Sequence, residues 1–217
     1  MSKKRNHAVL RSCIAFLCLA ALLTALIQPV EAKKFNKAEA KKKVSVTYKR
    51  LSDGVLAIYK NKNKTNLKLT ATMHFMDGDK KDISVDEQIN LCLTGNSTAT
   101  FFFPAPRNEY GQVINYSSYK GSFSVDKSKK TSRIKNITIS STLETIEGKF
   151  VAVNSGSKKL SNVHATLVFY ADDGTVWFCN TKSLSCFNPN DIDQFSINYV
   201  DKPYRPSKVK VYIDWAY

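Results

Sequence analysis

Apolar and polar residues alternate with a period of two along most of the chain, as in strands that bury one face. Val163, Ala165, Leu167 and Phe169 share one side of such a run; Leu69, Ala71, Met73 and Phe75 share one side of another. The last segment alternates too, with Val209, Val211, Ile213 and Trp215 expected inside and Lys208, Lys210, Tyr212 and Asp214 outside. Shorter apolar runs, Val55 to Tyr59 and Phe150 to Val153, lead into the polar turns Lys60 to Asn66 and Asn154 to Lys159. Asp77-Gly78-Asp79 and Asp172-Asp173-Gly174 read as hairpin turns. No helical stripe of useful length follows the first 32 residues, so the expected class is all-β.

The runs recur. At a spacing of 94 residues Gly54 matches Gly148, Ala71-Thr72 matches Ala165-Thr166, Phe75 matches Phe169 and Phe101 matches Phe195. Toward the ends the spacing shortens to 88, with Tyr116, Lys120 and Asp126 falling on Tyr204, Lys208 and Asp214. Six or seven short strands in each copy, over roughly 85–90 residues, fit the size and pattern of an immunoglobulin-like β-sandwich. Two tandem sandwiches are expected, repeat 1 over 44–126 and repeat 2 over 133–217, with a short bendable link at 127–132. Asn154-Ser155-Gly156, followed by Leu167-Val168-Phe169-Tyr170-Ala171-Asp172-Asp173-Gly174, resembles the FxLYD-type domains of bacterial extracellular proteins. The motif's Phe position holds Leu167 or Met73, its Leu position Phe169 or Phe75, its Tyr position Tyr170 or Met76, and its Asp position Ala171 or Asp77. That resemblance implies small sandwiches, often in tandem, and brings no activity with it.

Residues 1–32 divide into a basic stretch (Lys3, Lys4, Arg5, Arg11), an apolar run from Cys13 to Ile27, and a polar exit with Val30 and Ala32 before Lys33. This is the pattern of a signal peptide cut before Lys33; the other reading is a retained anchor. Either places the protein outside the cytoplasm, secreted or associated with the cell envelope. Residues 33–43 are lysine-dense and read as a tether. The whole chain carries 33 basic and 18 acidic residues; without the leader 29 and 17 remain, a net charge of +12. Such a charge attracts anionic surfaces without choosing among them.

Candidate contacts follow from what folding leaves unexplained. Lys60, Lys62, Lys64 and Lys68 form one basic group, and Lys127, Lys129, Lys130, Arg133 and Lys135 another, of which Lys129, Lys130 and Arg133 are the candidate contacts. Phe102, Tyr110 and Tyr116 offer an aromatic surface for sugar rings or protein. The expected partner is an anionic cell-wall polymer or membrane surface, or another extracellular protein or glycan; export makes nucleic acid the weaker choice, and oligomeric state is left open. Cys179 and Cys186 flank the polar stretch Asn180 to Ser185, so a hairpin disulfide is expected, adding roughly 2–3 kcal/mol. Cys92 is then an unpaired small hydrophobe.

Chemistry finds little to work with. Beyond the leader only His74 and His164 offer imidazoles, and no nucleophile elbow, paired-His motif or phosphate loop occurs. Asp77/Asp79, Asp172/Asp173 and Asp191/Asp193 suit turns better than a calcium site. No enzyme activity, metal or cofactor is expected.

Overall fold

The two central strands of the fold are buried on both faces, and that one fact organises the rest. In the computed structural model, which describes residues 34–200 and 205–217, twelve strands and one short α-helix follow one another. The leader and Tyr204 lie outside the described residues. The first half contains β1 (Val44–Leu51), β2 (Gly54–Asn61), β3 (Leu67–Met76), β4 (Asp82–Leu93), β5 (Thr98–Pro104) and β6 (Ser118–Lys127). The second contains β7 (Ile137–Leu143), β8 (Glu147–Asn154), β9 (Leu160–Tyr170), β10 (Val176–Phe187), β11 (Ile192–Asn198) and β12 (Lys208–Ala216). They form four antiparallel three-stranded sheets, β1-β2-β5, β4-β3-β6, β7-β8-β11 and β10-β9-β12, so strand order is the same in both halves. No helix among the described residues is long and apolar enough to cross a membrane.

Each half buries side chains between its own two sheets. In the first, the Tyr59 ring meets Phe101 edge-on at 5.8 Å and Phe123 at 5.5 Å, joining β2 and β5 to β6. In the second, Ile137 and Ala152 pack with Leu160, Val163, Leu184 and Phe187, while Phe150 packs with Leu167, Phe169, Phe178 and Tyr199. A further apolar cluster joins the halves: Leu51 and Leu56 with Ile58 and Phe102 from the first sheet, Val168 and Cys179 with Tyr170 and Tyr212 from the last. The outward faces of β1-β2-β5 and β10-β9-β12 are therefore packed together, which is why β2 reads as an unbroken apolar run instead of alternating.

A buried polar device reinforces this contact. The Asp214 side chain is fully buried. It accepts from the Thr100 N–H (2.6 Å) and Oγ1 (2.8 Å) on β5 and from Thr166 Oγ1 (2.7 Å) on β9. His164 Nδ1 lies 2.9 Å from Oδ2, the same oxygen that Thr166 bonds, while Thr100 takes Oδ1; the imidazole stacks on Trp215 at 4.3 Å. Asn90 on β4 donates to the Asp214 carbonyl (2.9 Å). The alternation expected at the end of the chain, with Asp214 outside, does not hold here. The register between β12 and β9 slips between Ile213 and Trp215, leaving Asp214 as the extra residue of a β-bulge that re-aims its carboxylate into the contact.

Two expected flexible segments are ordered. Within the 33–43 tether, α1 (Lys37–Lys42) forms because Asn36 Oδ1 caps the Glu39 N–H (3.1 Å), with Glu39 in its first turn and Lys41 and Lys42 in its last. Ala40 is buried and its carbonyl accepts from Asn63 Nδ2 (3.0 Å). The link is pinned as well. The Ser128 N–H donates to Asn66 O (3.2 Å), Ser128 Oγ to Leu91 O (2.7 Å) and Cys92 Sγ to Lys130 O (3.4 Å), while Thr94 and Ser132 bond through their hydroxyls.

The Cys179–Cys186 disulfide is overturned. Asn180 to Ser185 is no turn but the interior of β10, paired residue by residue with β9 from Leu167 to Asn162. Seven residues of extended strand separate the two Cα atoms by roughly 23 Å, and a disulfide tolerates roughly 4–7 Å. Both cysteines are free, Cys179 buried and Cys186 exposed. Burial, with the charges of Asp53 and Asp214, pushes the Cys179 thiol up to about 12. The polar stretch misread as a loop is the exposed part of an edge strand.

Matched glycines are not equally constrained. A Cβ on Gly54 would sit 2.2 Å from the Phe103 carbonyl oxygen, whereas on Gly148 it would meet only side-chain atoms of Phe150 and Leu143 at 3.1–3.3 Å. Gly54→Ala should therefore cost about 3 kcal/mol by forcing β2 from β5, and Gly148→Ala about 1 kcal/mol or less. Urea unfolding midpoints of the two variants check the order.

Candidate functional site

Four lysines, Lys68, Lys127, Lys129 and Lys130, line a cleft at one end of the first half. Lys68 comes from β3, Leu91 from β4, Asp126 and Lys127 from the end of β6, and Ser128, Lys129 and Lys130 from the link; together they line a cleft of about 760 Å³. A smaller hollow of about 240 Å³ adjoins it, sharing Lys68 and Asp126 and adding Lys37, Thr70, Ser124 and Val125. The wall carrying Lys129 and Lys130 is held by the same bonds that pin the link, and the Lys130 N–H donates to Ser128 Oγ (3.0 Å). The lysines are thus presented on a fixed backbone, which lowers the ordering cost of gripping a ligand.

The one acid in the cleft is already satisfied. Asp126 Oδ2 is 2.6 Å from Lys37 Nζ, and Oδ1 accepts from the Lys127 N–H at 2.9 Å. The Lys37 hydrogen bond first, then the Lys127 amide and the charges of Lys37 and Lys68, hold its carboxyl below the ordinary aspartate value. Lys130 Nζ lies over the Tyr217 ring at 4.9 Å. Among the described residues Lys68, Lys127 and Lys129 make no ion pair. The cleft therefore presents an excess of positive charge to solvent.

Of the basic residues singled out from sequence, the fold brings Lys68, Lys129 and Lys130 together, although Lys68 and Lys129 belonged to different groups there. Lys60, Lys62, Lys64 and Arg133 do not line the cleft. Lys127 stood in the same sequence group as Lys129 and Lys130, whereas Lys37 and Asp126 were missed as members of the site. Lys37 sat in the presumed tether, and Asp126 pairs with Lys68 across β3 and β6 only once the register is known.

The aromatic surface is largely taken apart. Tyr116 is buried: its Oη donates to Gly54 O (3.4 Å) and its ring meets Phe75 edge-on at 4.8 Å. Phe102 packs into the cluster between the halves. Only Tyr110 is open, 79% exposed. It rides on a small hairpin in which Asn108 Oδ1 accepts from the Tyr110 and Gln112 N–H groups at 3.0 and 2.9 Å.

The acids and histidines have structural employment. Asp191 Oδ2 accepts from the Asn188 N–H (2.7 Å), Asp193 pairs with Lys182 (3.0 Å), and His74 pairs with Asp82 (2.9 Å). Among the described residues no group of three or more His, Cys, Asp or Glu is arranged to hold a metal ion.

No protein-family model matches the chain, and no curated protein does. Among solved structures, a red sea bream transglutaminase aligns with 85% of the chain and 34% of its own length at 9% identity and a TM-score of 0.27. A Bacteroides uniformis β-glucuronidase aligns with 85% of the chain and 24% of its own length at 10% identity and a TM-score of 0.20. The chain thus spans about a third or less of each, and likenesses this faint bear on neither fold family nor function.

Proposed function

We propose that this is an exported, non-catalytic binding protein of the bacterial cell envelope or exterior, built from two immunoglobulin-like β-sandwich domains, the first of which grips an anionic envelope polymer. The immunoglobulin-like reading is supported by the shared 1-2-5 and 4-3-6 strand orders. Each half also ties a tyrosine hydroxyl to a distant strand end, Tyr116 to Gly54 O and Tyr199 to the Glu144 and Glu147 carbonyls at 2.6 and 2.7 Å. Export rests on the leader pattern of residues 1–32.

The observation that carries the binding reading is the cleft, where Lys68, Lys127, Lys129 and Lys130 converge around a single acid already paired with Lys37. Binding of wall or lipid polyanions should weaken steeply between low and high salt, because exposed charges are screened within roughly 10 Å at 0.1 M. Replacing Lys68, Lys129 and Lys130 together by Gln should cut low-salt binding by roughly tenfold or more and flatten its salt dependence, while the Lys60/Lys62/Lys64→Gln variant retains most of both. Co-sedimentation with envelope fractions at two salt concentrations reads this directly. Capture that is unchanged by salt or by the cleft variant would sink the proposal. The alternative, a glycan-binding or adhesive module working through exposed aromatics, keeps one of its three residues, Tyr110, on its hairpin tip.

A further inference from the structure

We infer that the cleft is one end of a longer track, and that its occupant is an extended anionic glycan lying along β3; the inference rests on the cleft reading above and gives its ligand a shape. The outer face of β1-β2-β5 is packed against the second half, but the outer face of β4-β3-β6 is uncovered, and its rows can be read from the register.

Thr70 lies between Ser124 on β6 and Ile89 on β4, Thr72 between Ser122 and Glu87, and His74 between Lys120 and Val85. Lys68, which opens into the cleft, heads the same column. Two features mark this face. Four hydroxyls, those of Thr70, Thr72, Ser122 and Ser124, stand in adjacent rows, and none makes a side-chain hydrogen bond among the described residues. Beside them on β4, Ile89 and Val85 are 43% and 52% exposed. Cations close both ends, the cleft lysines at one and Lys120 at the other. From Lys68 to His74 the column runs roughly 20 Å.

A compact anion would use the cleft and leave this ladder idle. A chain of sugars uses all of it. Sugar hydroxyls exchange hydrogen bonds with Ser and Thr, which donate and accept alike; ring C–H surface covers Ile89 and Val85; carboxylate or sulfate groups meet lysines at the two ends. An inorganic polyanion offers the charge without the hydroxyls or carbon surface, and a lipid headgroup offers no length.

The test uses the full chain and length-defined heparin oligosaccharides, from disaccharide to octasaccharide, with inorganic polyphosphate as the anion lacking a carbon skeleton. Wild-type affinity should climb with oligosaccharide length and level off once the track is spanned. The Thr72→Val/Ser122→Ala double variant removes two hydroxyls that line neither the cleft nor the hollow beside it. It should weaken octasaccharide binding roughly tenfold while leaving disaccharide and polyphosphate binding unchanged. The Lys68/Lys129/Lys130→Gln variant should weaken every ligand. If affinity is independent of length, or the Thr72/Ser122 variant binds the octasaccharide as wild type does while the lysine variant fails, the track is wrong and the cleft stands. If the wild type binds none of these anions at low salt, the cleft reading falls and takes the track with it.

Discussion

Asp214→Ala should lower the stability of the fold by about 3–5 kcal/mol, the range seen when one member of a buried charged network is removed. The carboxylate takes bonds from two groups of Thr100, from Thr166 and from His164, and it is fully enclosed. Truncation leaves the Thr100 N–H and two hydroxyls without acceptors, at about 1–3 kcal/mol for each buried group that water does not reach. Because β5 belongs to the first half and β9 to the second, the damage should also have a signature in cooperativity. Urea unfolding of the variant is expected to separate into two transitions where the wild type gives one. Asp126→Ala, at the place that sequence spacing equates with Asp214, should leave the transition nearly unmoved, since that side chain faces solvent beside Lys37. A single unshifted transition in the Asp214 variant would show the network to be idle.

The second large effect belongs to a pair of asparagines. Asn61 Nδ2 donates to the Thr65, Leu93 and Thr94 carbonyls at 3.1–3.2 Å, and its Oδ1 accepts from the Asn63 N–H at 2.9 Å. Asn154 repeats this with the Lys158, Phe187 and Asn188 carbonyls at 3.0–3.1 Å and the Gly156 N–H at 3.0 Å. Each is fully buried and ties two loops to the end of a strand. Asn61→Ala and Asn154→Ala should each cost about 2–4 kcal/mol, from the orphaned carbonyls and amide. Asn61→Asp should cost more than alanine, because it turns a carboxylate toward three carbonyl oxygens. Thermal melts of the three variants check both statements; an aspartate variant as stable as wild type would contradict the donor assignment.

These residues show where sequence reasoning reaches and where it stops. Strand parity was legible in β3, which has a polar side and a buried side, and in β9 from its alternating residues although both its faces are buried; Ala71/Ala165 and Phe75/Phe169 share a face as the spacing says. β2 and β8 slip by one, since the equivalent asparagines are 93 residues apart, a difference no apolar pattern records. The bulge at Asp214 was invisible for the same reason: alternation continues through it in the sequence while the backbone does not. The spacing sets Tyr116 against Tyr204, which lies outside the described residues; among those described, the tyrosine of the second half whose hydroxyl bonds back to carbonyls is Tyr199. The cysteine error came from equating polarity with a turn, when an edge strand is polar on its open side. The cleft was half legible. Its lysines stood out by composition, but only the packed link sets Lys129 and Lys130 opposite Lys68.

The contact between the halves is not self-complementary: a sheet of 1-2-5 order in one meets a sheet of 4-3-6 order in the other. Head-to-tail joints of that kind have no built-in stop, because each added unit presents a fresh copy of the receiving surface. In this chain the two faces left outside that contact are more polar than the two inside it. Where β2 offers Leu56 and Ile58, β8 offers Lys149 and Val151, flanked on β7 by the outward Thr138, Ser140 and Thr142. Where β9 offers Val168 and Tyr170 to its neighbour, β3 offers His74 and Met76, with Lys120 beside His74 on β6. The polar and charged positions of β3, Lys68, Thr70, Thr72 and His74, are what leave the β4-β3-β6 face open to solvent.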